Sequence, residues 1–148
     1  DEIIEKKSQM TINEIFEIYG ENFFRKLEFE TVKEISCNND QVISTGGGIV
    51  KNPENIKNLK KNGILFYLQV PPEELFERIK NNKTRPLLKI ENPIEILSKL
   101  LAEREKFYNL ADYKINAYNK DLESIVCEII EKYEHFANKD CKSRNTCK

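Results

Sequence analysis

Three consecutive glycines, Gly46-Gly47-Gly48, are the first feature of this sequence that could do chemistry. They directly follow Val42-Ile43-Ser44-Thr45, a short β-branched run that predicts a strand. In open α/β sheets, ligands bind beyond the carboxyl ends of the strands, and glycines there let backbone N–H groups approach a ligand closely. A tight turn without function explains a lone glycine triplet equally well, so other residues must decide between the two interpretations.

Arginines spaced for pairing or for anion binding form a second set. Arg25 and Glu28 are three residues apart, so on a helix they share a face and can pair. Arg104 and Tyr108 are four apart near the end of a predicted helix and could face a carboxylate ligand. Arg85 precedes a proline in a polar loop, which suits a cation that closes over a phosphate group. Each also has an ordinary interpretation: an exposed ion pair, a packed helix end or a surface arginine.

The elements that must position these residues alternate between helix and strand. This alternation predicts an α/β fold with a parallel sheet and helices on both faces. Thr11 and Glu14 form a capping-box pattern that marks the start of one helix, and Gly20 marks its end. Further helices are predicted over 21–35, 53–62, 73–80, 93–107 and 122–133, and strands over 42–45, 64–70 and 113–117.

Composition limits the classes of function. The chain has 148 residues and a formal net charge of -1, with 24 basic and 25 acidic side chains. This balance gives no field that would attract nucleic acid or an anionic membrane. No apolar run approaches the roughly 20 residues of a membrane span, and no signal peptide is evident, so a cytoplasmic location is expected. The four cysteines form no C-x-x-C pair and His135 is the only histidine, which argues against a zinc site.

The order and spacing of the motifs are more specific than any single one of them. The motifs are, in order, Asp1-x-x-Ile4-Glu5, Thr11-Ile12-x-Glu14-Ile15-Phe16, Gly20-Glu21-x-x-Phe24-Arg25-x-x-Glu28, Ser44-Thr45-Gly46-Gly47-Gly48, Arg85-Pro86-Leu87-Leu88 and Arg104-x-x-x-Tyr108-x-x-Ala111-Asp112. The series resembles the shikimate kinase family, over Asp1 to about Tyr133. We therefore expect a kinase-like domain over residues 1–134 and a polar, disordered tail over 135–148.

The resemblance implies both a fold and a reaction. The fold is a three-layer α/β/α P-loop kinase of the nucleoside-monophosphate-kinase type, with a five-stranded parallel sheet. The reaction transfers the γ-phosphoryl group of ATP to the 3-hydroxyl of shikimate with Mg²⁺, in the biosynthesis of chorismate and aromatic amino acids. The expected protein is a monomer that binds shikimate and ATP, without nucleic acid or membrane.

The resemblance also implies roles for individual residues. Arg25 and Arg104 match the pair that clamps the shikimate carboxylate, and Glu28 matches the acid that orients Arg25. Asp1 matches an acid that holds the shikimate hydroxyls and is the candidate base. The remaining matches are Gly46, Gly47 and Gly48 as substrate-binding backbone, Arg85 as the catalytic lid arginine over the phosphates, and Arg78 as the residue against adenine.

One family motif does not occur in this sequence. The Walker A loop, G-x-x-x-x-G-K-[ST], appears nowhere, and the chain begins at Asp1 rather than at Met. We expect a missing N-terminal segment of about 30 residues, with the first strand, the P-loop and the main Mg²⁺ ligands. No metal ligand is expected in this chain. On this interpretation the chain alone phosphorylates nothing, and a full-length parent is active.

Two other functions fit part of the pattern. A binding protein could retain the shikimate half-site without catalysis. A related small-molecule kinase, such as one acting on gluconate, would share much of the fold. The pairing of Arg25 and Arg104 with Arg85 favours shikimate over gluconate. The tail after His135 could also continue into another enzyme of the pathway.

Overall fold

The computed structural model describes residues 1–79 and 92–145. The chain divides into two compact units, Asp1–Gly63 with Arg104–Leu110, and Ile64–Glu103 with Ala111–Lys148. The elements are α1 (Glu2–Ser8), α2 (Ile12–Ile35), a 3₁₀ turn (Ile49–Lys51), α3 (Pro53–Asn62), β1 (Phe66–Gln69), α4 (Pro72–Ile79), α5 (Pro93–Tyr108), β2 (Tyr113–Asn116) and α6 (Leu122–Asn145).

The first unit is built on the helical hairpin of α1 and α2. Ile4, Ile15 and Phe24 form its buried cluster, and Ile15 has no exposed surface. The start of α2 is fixed by the predicted capping box. The backbone N–H of Glu14 donates to the Thr11 hydroxyl at 3.2 Å, and the backbone N–H of Thr11 donates to the Glu14 carboxylate at 2.8 Å. These two bonds satisfy donors that a helix start otherwise leaves open.

Gly20 interrupts α2. Its backbone adopts φ 79° and ψ 175°, a non-helical conformation within an otherwise helical run. This region of conformational space is open essentially to glycine alone. The helical segment that carries Arg25 therefore starts anew after Gly20, as the sequence predicted.

The second unit contains a two-stranded parallel sheet. β1 pairs with β2 in the register Phe66↔Tyr113 to Gln69↔Asn116. Val70, Ile115, Ala117 and Ile125 form its buried cluster, against which Phe66, Leu75 and Ile129 pack. The backbone N–H of Leu65 donates to the Asp112 carboxylate at 2.9 Å at the start of the sheet.

Most predicted helices and the two later strands are confirmed with small changes in their ends. The predicted strand over 42–45 is wrong, because no neighbouring strand pairs with it among the described residues and Val42 is fully exposed. The helix α1 was not predicted. The predicted end of the last helix at Tyr133 is also wrong, since α6 continues to Asn145. The domain boundary at residue 134 stays a prediction.

A helix that crosses a membrane must be both long and predominantly apolar. Within residues 1–79 and 92–145, none combines the length and the apolar character that crossing a membrane requires.

Removal of the α2 cap tests the fold. We expect Thr11→Ala to lower the free energy of unfolding by about 1 kcal/mol, because the first turn of α2 loses its side-chain acceptor. Urea denaturation followed by circular dichroism measures the change. Thr11→Ser keeps the hydroxyl and is the control. Equal losses in the two variants would contradict a capping role.

Candidate functional site

Arg25 lies between two carboxylates on its own helix. Its Nη1 donates to both oxygens of Glu28, at 3.1 and 2.9 Å, and its Nε and Nη2 donate to Oε1 of Glu21, at 3.2 and 3.1 Å. The Glu28 side chain is only 9% exposed. A carboxylate so far removed from water needs a charged partner, and Arg25 supplies it. The prediction that Arg25 and Glu28 pair is confirmed.

Electrostatics keep this arginine charged. Burial lowers the pKa of Arg25, but the hydrogen bonds and charge of Glu28, followed by those of Glu21, outweigh it and raise the pKa above its ordinary value. Hydrogen bonds from Lys51, and then from Arg25, lower the pKa of Glu21. We call Glu21, Arg25, Glu28 and Lys51 the Arg25 cluster. Its two positive and two negative charges balance at neutral pH.

The glycine triplet forms a tight turn against this cluster. The backbone N–H of Ile49 donates to the Gly46 carbonyl at 3.2 Å, and that of Lys51 donates to the Gly48 carbonyl at 3.0 Å. A Cβ atom on Gly48 would lie 2.6 Å from Nη2 and 2.8 Å from Nη1 of Arg25. Only glycine therefore lets the backbone and the guanidinium come this close.

Residues 104–110 contact the same turn from later in the chain. The Tyr108 hydroxyl donates to the Gly47 carbonyl at 2.8 Å, and Arg104 Nη1 approaches the same oxygen at 3.4 Å. Arg25 and Arg104 thus contact neighbouring glycines of one turn. The sequence left open whether Arg104 and Tyr108 face a ligand or pack a helix end. The structure shows that Tyr108 supports the glycine turn.

Asn55, on α3, contacts the 3₁₀ turn that follows the glycines. It is completely buried, and its Nδ2 donates to the Ile49 carbonyl at 3.1 Å. Its Oδ1 is a buried acceptor without a hydrogen-bond partner in the part of the chain that the structure describes. Since a buried amide is costly unless it is bonded, the bond to the 3₁₀ turn offsets part of the cost of burying Asn55.

The arrangement suits a planar anion. Arg25 Nη2 carries two N–H groups and, among the described residues, donates to one carboxylate oxygen; the same nitrogen lies beside Gly48. Arg104 adds a second guanidinium at Gly47. Guanidinium groups bind carboxylates through charge-assisted hydrogen bonds. Over residues 1–79 and 92–145, no group of three or more His, Cys, Asp or Glu side chains could hold a metal ion.

Asp1, Arg78 and Arg85 are the remaining predicted site residues. Asp1 is the exposed N-cap residue of α1 and makes no side-chain capping bond. Arg78 belongs to the second unit, where its Nε donates to Glu74 at 2.9 Å and its Nη2 donates to the Ala117 carbonyl at 3.2 Å. Arg85 lies outside the described residues.

Sequence reasoning named Glu21 only as part of a motif, without a role in the site, and did not single out Lys51. Lys51 Nζ donates to Oε1 of Glu21 at 2.7 Å, across 30 residues of sequence. The position of Glu21 four residues before Arg25 was a usable signal, since such pairs share a helix face. Nothing in the sequence marked Lys51 as the partner of that face.

Comparison with known proteins decides the family. The profile of the family described as shikimate kinase matches residues 1–134. The chain belongs to the shikimate kinase family. A curated shikimate kinase of Caldanaerobacter subterraneus subsp. tengcongensis is 44% identical over 133 residues, which are 90% of this chain and 78% of that protein. The predicted family is thereby confirmed.

Solved shikimate kinases have the same fold. The structure from Acinetobacter baumannii, in complex with shikimate, superposes with a TM-score of 0.83 at 36% identity and covers 94% of this chain and 77% of that one. The structure from Aquifex aeolicus gives a TM-score of 0.79 at 41% identity, over 93% and 80%. The predicted α/β fold of the P-loop kinase type is confirmed.

The depressed pKa of Glu21 gives a testable pH dependence. Its folded pKa lies below the ordinary value, so the stabilisation from Lys51 and Arg25 is present above that value. The contribution is lost as the pH falls through the folded pKa. We expect Glu21→Gln to be less stable than wild type in urea at neutral pH, and the difference to vanish in acid. A difference independent of pH would contradict this account.

A side chain on Gly48 tests the close approach to Arg25. We expect Gly48→Ala to displace the guanidinium and to raise the KM for shikimate at least tenfold, since the methyl group would overlap Nη1 and Nη2. Gly46→Ala is the matched comparison, because a Cβ there meets no atom within 4 Å. Its loss should be the smaller one. Equal increases in the KM for shikimate in the two variants would contradict a role for Arg25 in the effect.

Proposed function

We propose that this chain supplies the acceptor-binding site of a shikimate kinase, which transfers the γ-phosphoryl group of ATP to the 3-hydroxyl of shikimate. The observation that carries the proposal is the pair of arginines, Arg25 and Arg104, at neighbouring glycines of one turn. Family membership supports the reaction, and a family member has been solved in complex with shikimate.

The residues of the site divide the work of binding. Arg25, oriented by Glu28 and Glu21, binds one oxygen of the shikimate carboxylate, and Arg104 binds the other. The backbone N–H groups of the glycine turn are proposed to approach the shikimate ring next to the two arginines. Asp1 is proposed to hold the ring hydroxyls and to act as base. This arrangement fixes the acceptor, and positioning is the main contribution of a protein to phosphoryl transfer.

Fewer of the described residues belong to the proposed site for ATP, the phosphoryl donor. ATP is the phosphoryl donor, Arg85 is proposed to act at its phosphates and Arg78 at its adenine. Mg²⁺ would neutralise phosphate charge, but no step is assigned to it because the described residues contain no cluster to hold it. The predicted monomeric state and cytoplasmic location stay predictions.

Truncation of Arg25 tests the placement of the acceptor. We expect Arg25→Ala to raise the KM for shikimate by roughly 10- to 100-fold, because charge-assisted hydrogen bonds to the carboxylate are lost. The KM for ATP should change little. Lys26→Ala removes an exposed neighbouring cation and is the control. Steady-state kinetics of the intact natural protein measure both constants.

Two outcomes would contradict the proposal. A fall in ATP affinity on Arg25→Ala, with shikimate affinity unchanged, would place Arg25 on the donor side. Equal turnover of gluconate and shikimate by the wild-type protein would overturn the assignment of shikimate as the substrate.

A further inference from the structure

The side chain of Lys51 is linked to the proposed substrate site through the side chain of Glu21. Its Nζ donates at 2.7 Å to Oε1 of Glu21, the same oxygen that accepts from Nε and Nη2 of Arg25. That oxygen therefore receives hydrogen bonds from two cations. Lys51 also follows the glycine turn closely, and its backbone N–H donates to the Gly48 carbonyl.

The charges of the cluster give this contact a consequence. Glu21 and Glu28 place two negative charges beside Arg25, which is proposed to bind the substrate carboxylate together with Arg104. Without Lys51, these two glutamates and Arg25 would carry a net charge of one negative unit at neutral pH. An incoming carboxylate would then meet one excess negative charge beside Arg25, which offsets the attraction of the second guanidinium, Arg104. Lys51 removes that excess.

We propose that Lys51 sets the affinity for the carboxylate substrate by neutralising Glu21. Glu21 can then orient Arg25 without repelling the anion that Arg25 binds. The inference rests on the proposed function, and it makes Lys51 a positioning residue that touches Glu21 rather than the substrate. The negative charge of Glu21 orients Arg25. The repulsion between Glu21 and the substrate carboxylate is cancelled by Lys51.

A purely structural role for Lys51 leads to different expectations. The Lys51–Glu21 pair also ties the glycine turn to α2, and a loose turn would weaken binding as well. A variant that lacks the charges of both Glu21 and Lys51 distinguishes the electrostatic role of Lys51 from its structural role. The double variant Glu21→Gln/Lys51→Met keeps an amide oxygen at position 21 as an acceptor for Arg25, but the tie to position 51 is gone.

The experiment is a calorimetric titration of shikimate into the intact natural protein. Lys51→Met should weaken binding roughly three- to tenfold, as expected for one uncompensated charge next to a guanidinium that binds the ligand. Raising the salt concentration should shrink the difference. Lys51→Arg should restore wild-type affinity. Lys57→Met is the matched control, because Lys57 is exposed on α3 and pairs with Glu54 at 3.6 Å; it should bind as wild type.

The double variant decides the mechanism. Glu21→Gln/Lys51→Met should recover affinity close to wild type, because the net charge of the cluster is again zero. If the double variant binds shikimate as weakly as Lys51→Met alone, Lys51 acts by linking the glycine turn to α2, and the proposal that it neutralises Glu21 is overturned. A Lys51→Met protein that binds shikimate as wild type does would overturn the inference and leave the proposed function intact. A wild-type protein that binds no shikimate would overturn the proposed function itself.

Discussion

The pairing of Arg25 with the buried carboxylate of Glu28 is the constraint from which the site follows. A buried carboxylate is stable only with a partner that stays charged, so Arg25 is fixed on one edge by Glu28 and on the other by Glu21. A Cβ atom at Gly48 would overlap this guanidinium, so a side chain there requires Arg25 to shift away from its carboxylate partners. The turn that approaches it is itself supported by Tyr108 and Asn55.

Local rules made much of this predictable from sequence. The capping box at Thr11, the break at Gly20 and the pairing of Arg25 with Glu28 all depend on residues within four positions of one another. The strand predicted over 42–45 failed because a strand needs a neighbour, which local composition does not provide. Lys51 was missed for the same reason, since its partner lies 30 residues away. The motif order identified the family although each motif alone was ambiguous.

The site joins short-range and long-range contacts in a definite way. Arg25, Glu21 and Glu28 are oriented by one helix, so their geometry is set as soon as that helix forms. The glycine turn and Tyr108 arrive from distant parts of the sequence and reach the helix only through folding. Binding of a substrate at this site therefore depends on both parts. The helix supplies the charged side chains, and the glycine turn supplies backbone groups that lie close to them.

The break at Gly20 separates the rotational phase of two helical segments. In a continuous α-helix, inserting one residue turns everything beyond it by roughly 100° about the axis. Such an insertion near Ile15 would carry Arg25 and Glu28 away from the glycine turn. Because the helix starts anew after Gly20, changes in length before that residue need not rotate the arginine. The length of the chain ahead of the break is then limited by the buried cluster that Ile15 forms with Phe24, rather than by the direction of Arg25.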